Sequence, residues 1–506
     1  MCVEKLFVNA DIITLDSTMP RARALLVRDE RIAAAFDERP AGLSSDVEVV
    51  DCAGACMVPG FHDCHVHLTA TGLLRGDRDL GPCNDLPALL TKVAALTGDD
   101  LIYAGNFDER LLAEQRVPTR VELDACSHDK PALLSRVDGH SCILNSAALA
   151  LLGIDLTRPG VEKDAAGAPT GRLSGQVGYA AQYDFVHHLP TAVLRRADRT
   201  AAAAALRAGI TTVHNVIEGD ASYEQLAEIY IDNAVLPVRV ISKSCTTSVA
   251  KAKRLGGRVF GGDIFVDGSI GSHTAALTEA YCDKPTQGSL YLRKDDLIEL
   301  FAEAAESRLS LGVHAIGDEA IEQAIAAWEE VARRRGSLEG LRPSIDHFEI
   351  ARPDHIRRAA RVGILLSMQP AFDYLWGGDG SLYETRLGKE RARSMNRLGT
   401  ARREGCTVCA GSDSPITPFS ALLGIHGGVN HHLAEERLSA EEMLRFYTCD
   451  AARLSFMERE CGSLARGMLA DFALLDRPLD RAAPATIKDI GVVMTIVGGE
   501  IRHKRA

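Results

Sequence analysis

Between residues 57 and 413 the chain alternates short apolar runs with stretches of helical character. The runs cover 57–67, 131–139, 210–216, 263–269, 310–316, 344–349, 363–369 and 406–413. Between them lie helix-forming segments such as 194–208, 296–307 and 320–335. Repeated strand–helix–strand units build parallel sheets. Eight of them predict an α/β fold of the (β/α)8 TIM-barrel type. A chain of 506 residues, 46 % of them hydrophobic, can bury one such core and a satellite domain.

The two ends read differently. Residues 1–56 and 463–506 contain short strand-like pieces such as Leu6-Phe7-Val8 and Phe472-Ala473-Leu474-Leu475. They predict a small discontinuous β-sandwich domain built from both termini, with residues 57–462 as the barrel. The stretch 70–130 is too long for a plain crossover, so it is expected to form a helical cap insertion after strand 1. The net charge of −12 argues against a nucleic-acid partner. No apolar stretch nears the roughly 18 residues of a membrane span. Met1-Cys2-Val3-Glu4-Lys5 lacks a signal-peptide pattern, and the thirteen cysteines have no framework spacing. Reduced thiols and a cytoplasmic location are therefore expected. A homodimer is compatible with such a chain.

Chemistry concentrates at the ends of the runs. Residues two apart on a strand share a face, so His65 and His67 project side by side and can grip one divalent metal. The second run ends in Val137-Asp138-Gly139-His140 and the third in Val213-His214-Asn215. The fourth passes through Asp263 to Asp267-Gly268-Ser269, the fifth ends at His314 and the sixth at Asp346-His347-Phe348-Glu349. The eighth ends in Gly411-Ser412-Asp413, whereas the seventh, Ser367-Met368-Gln369-Pro370, lacks a strong ligand. The C-terminal ends of barrel strands carry the chemistry of this fold, so these residues are expected to converge.

This order resembles the amidohydrolase superfamily: His-x-His on the first strand, His on the fifth and sixth, Asp on the eighth. Within it the chain resembles the YtcJ-like (amidohydrolase-3 type) branch, which includes enzymes that deformylate N-substituted formamides. The matching stretches are Pro59–Leu68, Arg136–Asn145, Asp267–Leu277, His314–Asp318, Asp346–Glu349, Ser367–Pro370, Gly411–Pro415 and Gly467–Leu475. The resemblance implies a divalent metal, zinc first, with iron or manganese as alternatives. It would be held by His65, His67 and Asp413, with Asp413 as general base. His314 and His347 hold a second metal in binuclear members; in mononuclear ones the sixth-strand histidine acts as an electrophile. Two departures stand out. Asp263 occupies the place of a carboxylated lysine that bridges the two metals in relatives, and His273 replaces a common arginine. The shorter Asp263 either bridges directly or leaves a single tightly held metal, and the latter is the expectation here.

Each residue also has a plainer reading. His140 is a substrate-binding or carbonyl-polarising group, or simply turn polarity. Asp318 orients substrate or caps the following helix. His214 and Cys64 are expected to pack, and Cys406 and Cys409 to be buried thiols rather than a redox pair. Arg75, Arg78, Tyr103, Arg136, Phe372, Tyr374 and Trp376 are pocket candidates by type, with Trp376, His273 and Asp318 as substrate contacts. The expected function is metal-dependent hydrolysis of a C–N bond (amide, N-formyl or cyclic amide) in a small molecule. A deaminase, an isomerase or lyase on the same metal, and a silent scaffold are the alternatives. His314-Ala315-Ile316-Gly317 lacks the glutamate that deaminases place after this histidine, and neither Gly-x-Ser-x-Gly nor His-Glu-x-x-His occurs.

Overall fold

The computed structural model describes residues 4–41, 47–96, 100–137, 139–217, 227–228 and 235–505. Eight parallel strands form its centre: β1 (Phe61–Val66), β2 (Ile210–Ile217), β3 (Arg239–Ser244), β4 (Val259–Phe265), β5 (Ser310–Ala315), β6 (Ser344–His347), β7 (Leu365–Met368) and β8 (Val408–Ala410). They pair in the orders β3-β2-β1 and β4-β5-β6-β7-β8. A parallel bridge from Val66 to Ser414 ties the end of β1 to the segment after β8. Strands β1, β2 and β5 to β8 are buried at every position, which demands cover on both faces. Amphipathic helices supply it. On one of them, Asp318–Arg335, acidic residues open the first turn and three arginines fill the last, complementing the helix dipole, and Gly336 ends it. Its Trp328 stacks on Phe301 of the helix Lys294–Glu306 at 4.2 Å.

Both termini enter the flanking sheets. One has four strands, in the order Arg31–Phe36, Ala24–Arg28, Glu4–Val8, Glu48–Asp51. The other has six, in the order Glu500–Lys504, Val492–Val497, Phe472–Leu475, Cys56–Pro59, Asp11–Ile13, Arg21–Ala22. Phe7 and Phe472 meet edge to face at 4.9 Å, joining chain beginning to chain end. From Cys56–Pro59 the chain enters β1 through Gly60, where a Cβ would lie 2.2 Å from Thr211 Oγ1. Only glycine lets the backbone pass so close. No helix among the described residues is long and apolar enough to cross a membrane.

Two expectations are corrected. The run 131–139 is not one of the eight parallel strands. Its strand, Ala132–Arg136, pairs in parallel with Ile102–Phe107 and antiparallel with Ser141–Leu144, inside a separate sheet that also holds Pro169–Ser174 and Val161–Lys163. A short apolar run looks the same in either sheet, and only the hairpin partner a few residues on decides. The insertion after β1 therefore extends well past residue 130 and carries strands as well as the helices Leu86–Ala95 and Arg120–Ser127. The missing central strand is β3, Arg-Val-Ile-Ser-Lys-Ser, whose polar residues hide it from an apolar scan.

Strand β4 carries an irregularity that decides where Asp263 points. Gly261 pairs with Gly312 but Phe265 with His314, so four steps along β4 match two along β5. The excess is taken up as a bulge at Gly261 (φ 83°) and Gly262 (φ 98°). A Cβ on Gly261 would sit 2.1 Å from Gly312 O. Gly261→Ala is therefore expected to cost roughly 1–3 kcal/mol through strain and clash. Urea unfolding checks this, and an unchanged midpoint would contradict it.

Candidate metal centre

The bulge turns Asp263 into the interior, where it is surrounded by imidazoles. Asp263 Oδ1 lies 3.4 Å from His65 Nε2 and 3.7 Å from both His314 Nδ1 and His347 Nε2. Its Oδ2 lies 3.4 Å from His67 Nε2. Asp413 closes the other side, with Oδ1 at 3.0 Å from His67 Nε2 and 3.5 Å from His65 Nε2. Backbone bonds set this register: Asp413 N donates to His65 O, and His67 N to Ser414 O. Asp413 and His347 both take positive φ, 56° and 73°. Such strain in residues with a Cβ gathers at functional sites.

The far nitrogens of three rings are tied down. His65 Nδ1 donates to Asp346 Oδ1 at 2.8 Å. His347 Nδ1 donates to Gln369 Oε1 at 2.8 Å. His314 Nε2 faces Gly268 O at 3.3 Å, and a carbonyl can only accept. Each tie fixes the tautomer and aims the opposite lone pair at the cluster. Lys243 of β3 lies beneath, fully buried, with Nζ 3.2 Å from Cys64 O and 3.7 Å from Asp346 Oδ1. Burial would raise the Asp346 pKa, but the charge of Lys243 and the His65 hydrogen bond hold it well below the usual range. Asp267 fastens the β5 end by accepting from the backbone nitrogens of Ala276, Ile316 and Gly317.

The electrostatics are those of donors pressed together. Burial disfavours a charged His65, yet the neighbouring Asp263 carboxylate and the hydrogen bond to Asp346 push its pKa up to about 10. Burial would raise Asp263 too, but the surrounding imidazoles hold it well below the normal range. Asp413 is likewise lowered against burial, chiefly by His67. His65 Nε2, His314 Nδ1 and Asp263 Oδ1 are buried and make no hydrogen bond. Buried polar atoms are rarely left so. Nitrogen and carboxylate donors converging with aimed lone pairs fit a divalent cation of the zinc, iron or manganese type. Two triads at this centre have ligand atoms within 4.8 Å of one another: His65, His67 and Asp413, and His65, Asp263 and His347.

A cavity of about 1500 Å³, open solvent at its mouth included, opens onto His67, Asp263, His314, His347 and Asp413. A smaller one of about 580 Å³ reaches His314, His347 and Asp413 from another side. His140 lines both, its ring 5.7 Å from those of His314 and Phe265. Tyr103 and Arg136 line the larger cavity; Arg136, Phe372 and Trp376 line the smaller. His273 and Asp318 line neither. His273 Nε2 meets Asp283 at 3.0 Å, while Asp318 accepts from Thr278 and Arg352. Arg75, Arg78 and Tyr374 also lie outside both walls, and Asp138 lies outside the described residues. His214 is buried, its two ring nitrogens without hydrogen-bond partners, and Cys64 packs with Cys409. Sequence reasoning missed Asp346, Gln369 and Lys243 as supports. It also gave no role to Glu349, a buried acid whose pKa burial pushes up to about 7 although Tyr383 Oη donates to it at 2.6 Å.

The amidohydrolase family profile matches residues 48–503. The chain belongs to the amidohydrolase family. It is 29% identical to YtcJ of Bacillus subtilis over 499 residues, covering 92% of each chain. To N-substituted formamide deformylase of Arthrobacter pascens it is 26% identical, covering 99% of this chain and 98% of the other. Among solved structures, an uncharacterized metal-dependent hydrolase from Pyrococcus furiosus superposes with a TM-score of 0.74 at 28% identity, covering 95% of this chain and all of that one. That neighbour is described as a metal-dependent hydrolase, and its fold matches this one over nearly the whole chain.

The Lys243–Asp346–His65 chain makes a testable claim. Lys243→Met is expected to weaken zinc binding by about 10–100-fold, the usual cost of losing an outer partner. Competition with a chelator measures it, and Lys243→Met/Asp346→Asn, which removes the stranded carboxylate as well, controls for misfolding. Undiminished zinc affinity in a folded Lys243→Met protein would show that the lysine serves packing alone.

Proposed function

We propose that the chain is a zinc-dependent hydrolase that cleaves the C–N bond of a small-molecule amide. In this reading the eight parallel strands close as a (β/α)8 barrel, with the cluster at their C-terminal ends. The termini form a composite β-sandwich domain, taken as residues 1–56 and 463–506, and the barrel spans 57–462. The sheet orders and the Val66–Ser414 bridge support this. The observation that carries the functional reading is the carboxylate of Asp263 centred among His65, His67, His314 and His347.

Asp263 acts where the carboxylated lysine of relatives would stand. Its side chain is short, and the β4 bulge makes up the reach. With Oδ2 toward His67 and Oδ1 toward His65, His314 and His347, it suits two adjacent ions rather than the single one expected from sequence. His65, His67 and Asp413 would hold the first ion, and His314 and His347 the second, with Asp263 between. Bound there, a divalent ion supplies Lewis acidity and brings the pKa of water from about 15.7 to about 7.

The chain's own groups complete the chemistry. Asp413 takes the proton of the attacking water and passes it to the leaving nitrogen. Held as a carboxylate by His67, it is a base at neutral pH. His140 at the cavity wall polarises the carbonyl, while Gln369 keeps the ligand His347 in register. The insertion shields the larger cavity through Tyr103, Tyr179 and Tyr183.

Zinc-loaded Asp413→Asn should lose about 10²–10⁴-fold in kcat on any amide the parent hydrolyses, with its unfolding midpoint little changed; near-normal turnover would remove it as the base. The wild-type chain should carry two metal ions by elemental mass spectrometry, and Asp263→Ala at most one. Equal metal content in both would show that Asp263 is not a ligand.

A further inference from the structure

The cluster does not sit at the end of one pocket. It stands between two. The larger cavity and the smaller one share Arg136, Val137, His140, His314, His347, Asp413 and Ile416, which make up their common boundary. Beyond it, the larger is walled by the insertion side chains Tyr179, Tyr183, Val186, Leu189 and the nearby Leu194. The smaller is walled by Ile270, Phe372, Trp376, Leu382 and Tyr383. Its aromatic wall begins at the cluster itself: Phe372 stacks on His347 with ring planes 7° apart, Trp376 packs on Phe372 at 4.7 Å, and Tyr383 on Trp376 at 6.3 Å. Both chambers therefore offer apolar and aromatic surface, and they adjoin at the reacting position.

We infer that the substrate is an open-chain amide bearing an apolar or aromatic group on each side of its C–N bond. This rests on the C–N hydrolase reading above and narrows it. An open-chain secondary amide is planar and trans, so its two substituents point away from each other. With the carbonyl carbon at Asp413 and His347, one half enters each chamber. A cyclic amide is held cis, and both halves leave on the same side; it cannot straddle the boundary. An N-formyl compound has only hydrogen on its acyl carbon and leaves one apolar chamber to water. Arg136 at the boundary is not a free carboxylate receptor, because its Nε bonds Glu109 at 2.6 Å and its guanidinium faces Asp108. The reaction is a simple hydrolysis: the C–N bond breaks, the water oxygen ends on the acyl carbon as a carboxylic acid, and the nitrogen leaves as an amine carrying the second water proton.

The test uses zinc-loaded full-length protein and four compounds: N-benzylphenylacetamide, N-benzylformamide, N-methylphenylacetamide and δ-valerolactam. Product amines and acids are quantified, and a thermal shift with each compound reports binding independently of turnover. N-benzylphenylacetamide is expected to exceed each singly substituted compound by about 10–100-fold in kcat/KM and to give the largest thermal shift, while the lactam is left untouched. Trp376→Ala should cut kcat/KM for N-benzylphenylacetamide about tenfold and change that of only one singly substituted compound, the one whose ring enters the smaller chamber. Trp376→Phe, which keeps an aromatic ring, should restore most of the loss. If N-benzylformamide or the lactam matches the doubly substituted amide, the two-chamber inference falls while C–N hydrolysis stands. If none of the four is hydrolysed, the C–N reading falls and this inference with it.

Discussion

A carboxylate buried among four imidazoles is the interaction on which this molecule turns. Asp263 is almost inaccessible to water, and so are His65, His314 and His347 facing it. Desolvating such a charge is expensive unless opposite charge surrounds it. The raised His65 pKa reflects that need. Divalent ions would meet it through direct bonds to the same lone pairs. The two glycines of the β4 bulge immediately precede this one side chain and set its local register.

The surrounding structure prevents the donors from satisfying one another in other ways. Asp346, Gln369 and the Gly268 carbonyl each hold the far nitrogen of one ring, so each ring can turn only one face inward. Lys243 keeps Asp346 ionised from below. Asp413 is placed by its own backbone hydrogen bond to β1 rather than by side-chain packing. Rigidity of this kind is what a metal site requires, because affinity and geometry are set before the ion arrives.

Much of this is legible in the sequence, for a definite reason. His65, His67, His314, His347 and Asp413 lie at or just past the ends of apolar runs, so strand register alone predicts their convergence. Asp263 stands out because it occupies a position where the resemblance requires another residue, but whether it can reach depends on a bulge no residue pattern announces. β3 is hidden because Ser242, Lys243 and Ser244 interrupt its apolar character. Ala132–Arg136 is misplaced by an apolar scan because so short a run does not say which neighbour it pairs with. The supporting residues are invisible for a different reason: Asp346 acts on His65 across 281 residues, a relation that exists only in three dimensions. His273 and Asp318 illustrate the reverse case, since each sits in a matching motif, yet His273 bonds Asp283 and Asp318 ties its helix start to Thr278 and Arg352.

The central claim is that Asp263 lies between two ions. Diffraction recorded on both sides of the zinc absorption edge, from crystals grown with zinc, tests this directly. Two anomalous peaks are predicted, one beside His65, His67 and Asp413 and one beside His314 and His347, with the Asp263 carboxylate touching both. A single peak, or an Asp263 turned away from the metal, would contradict it.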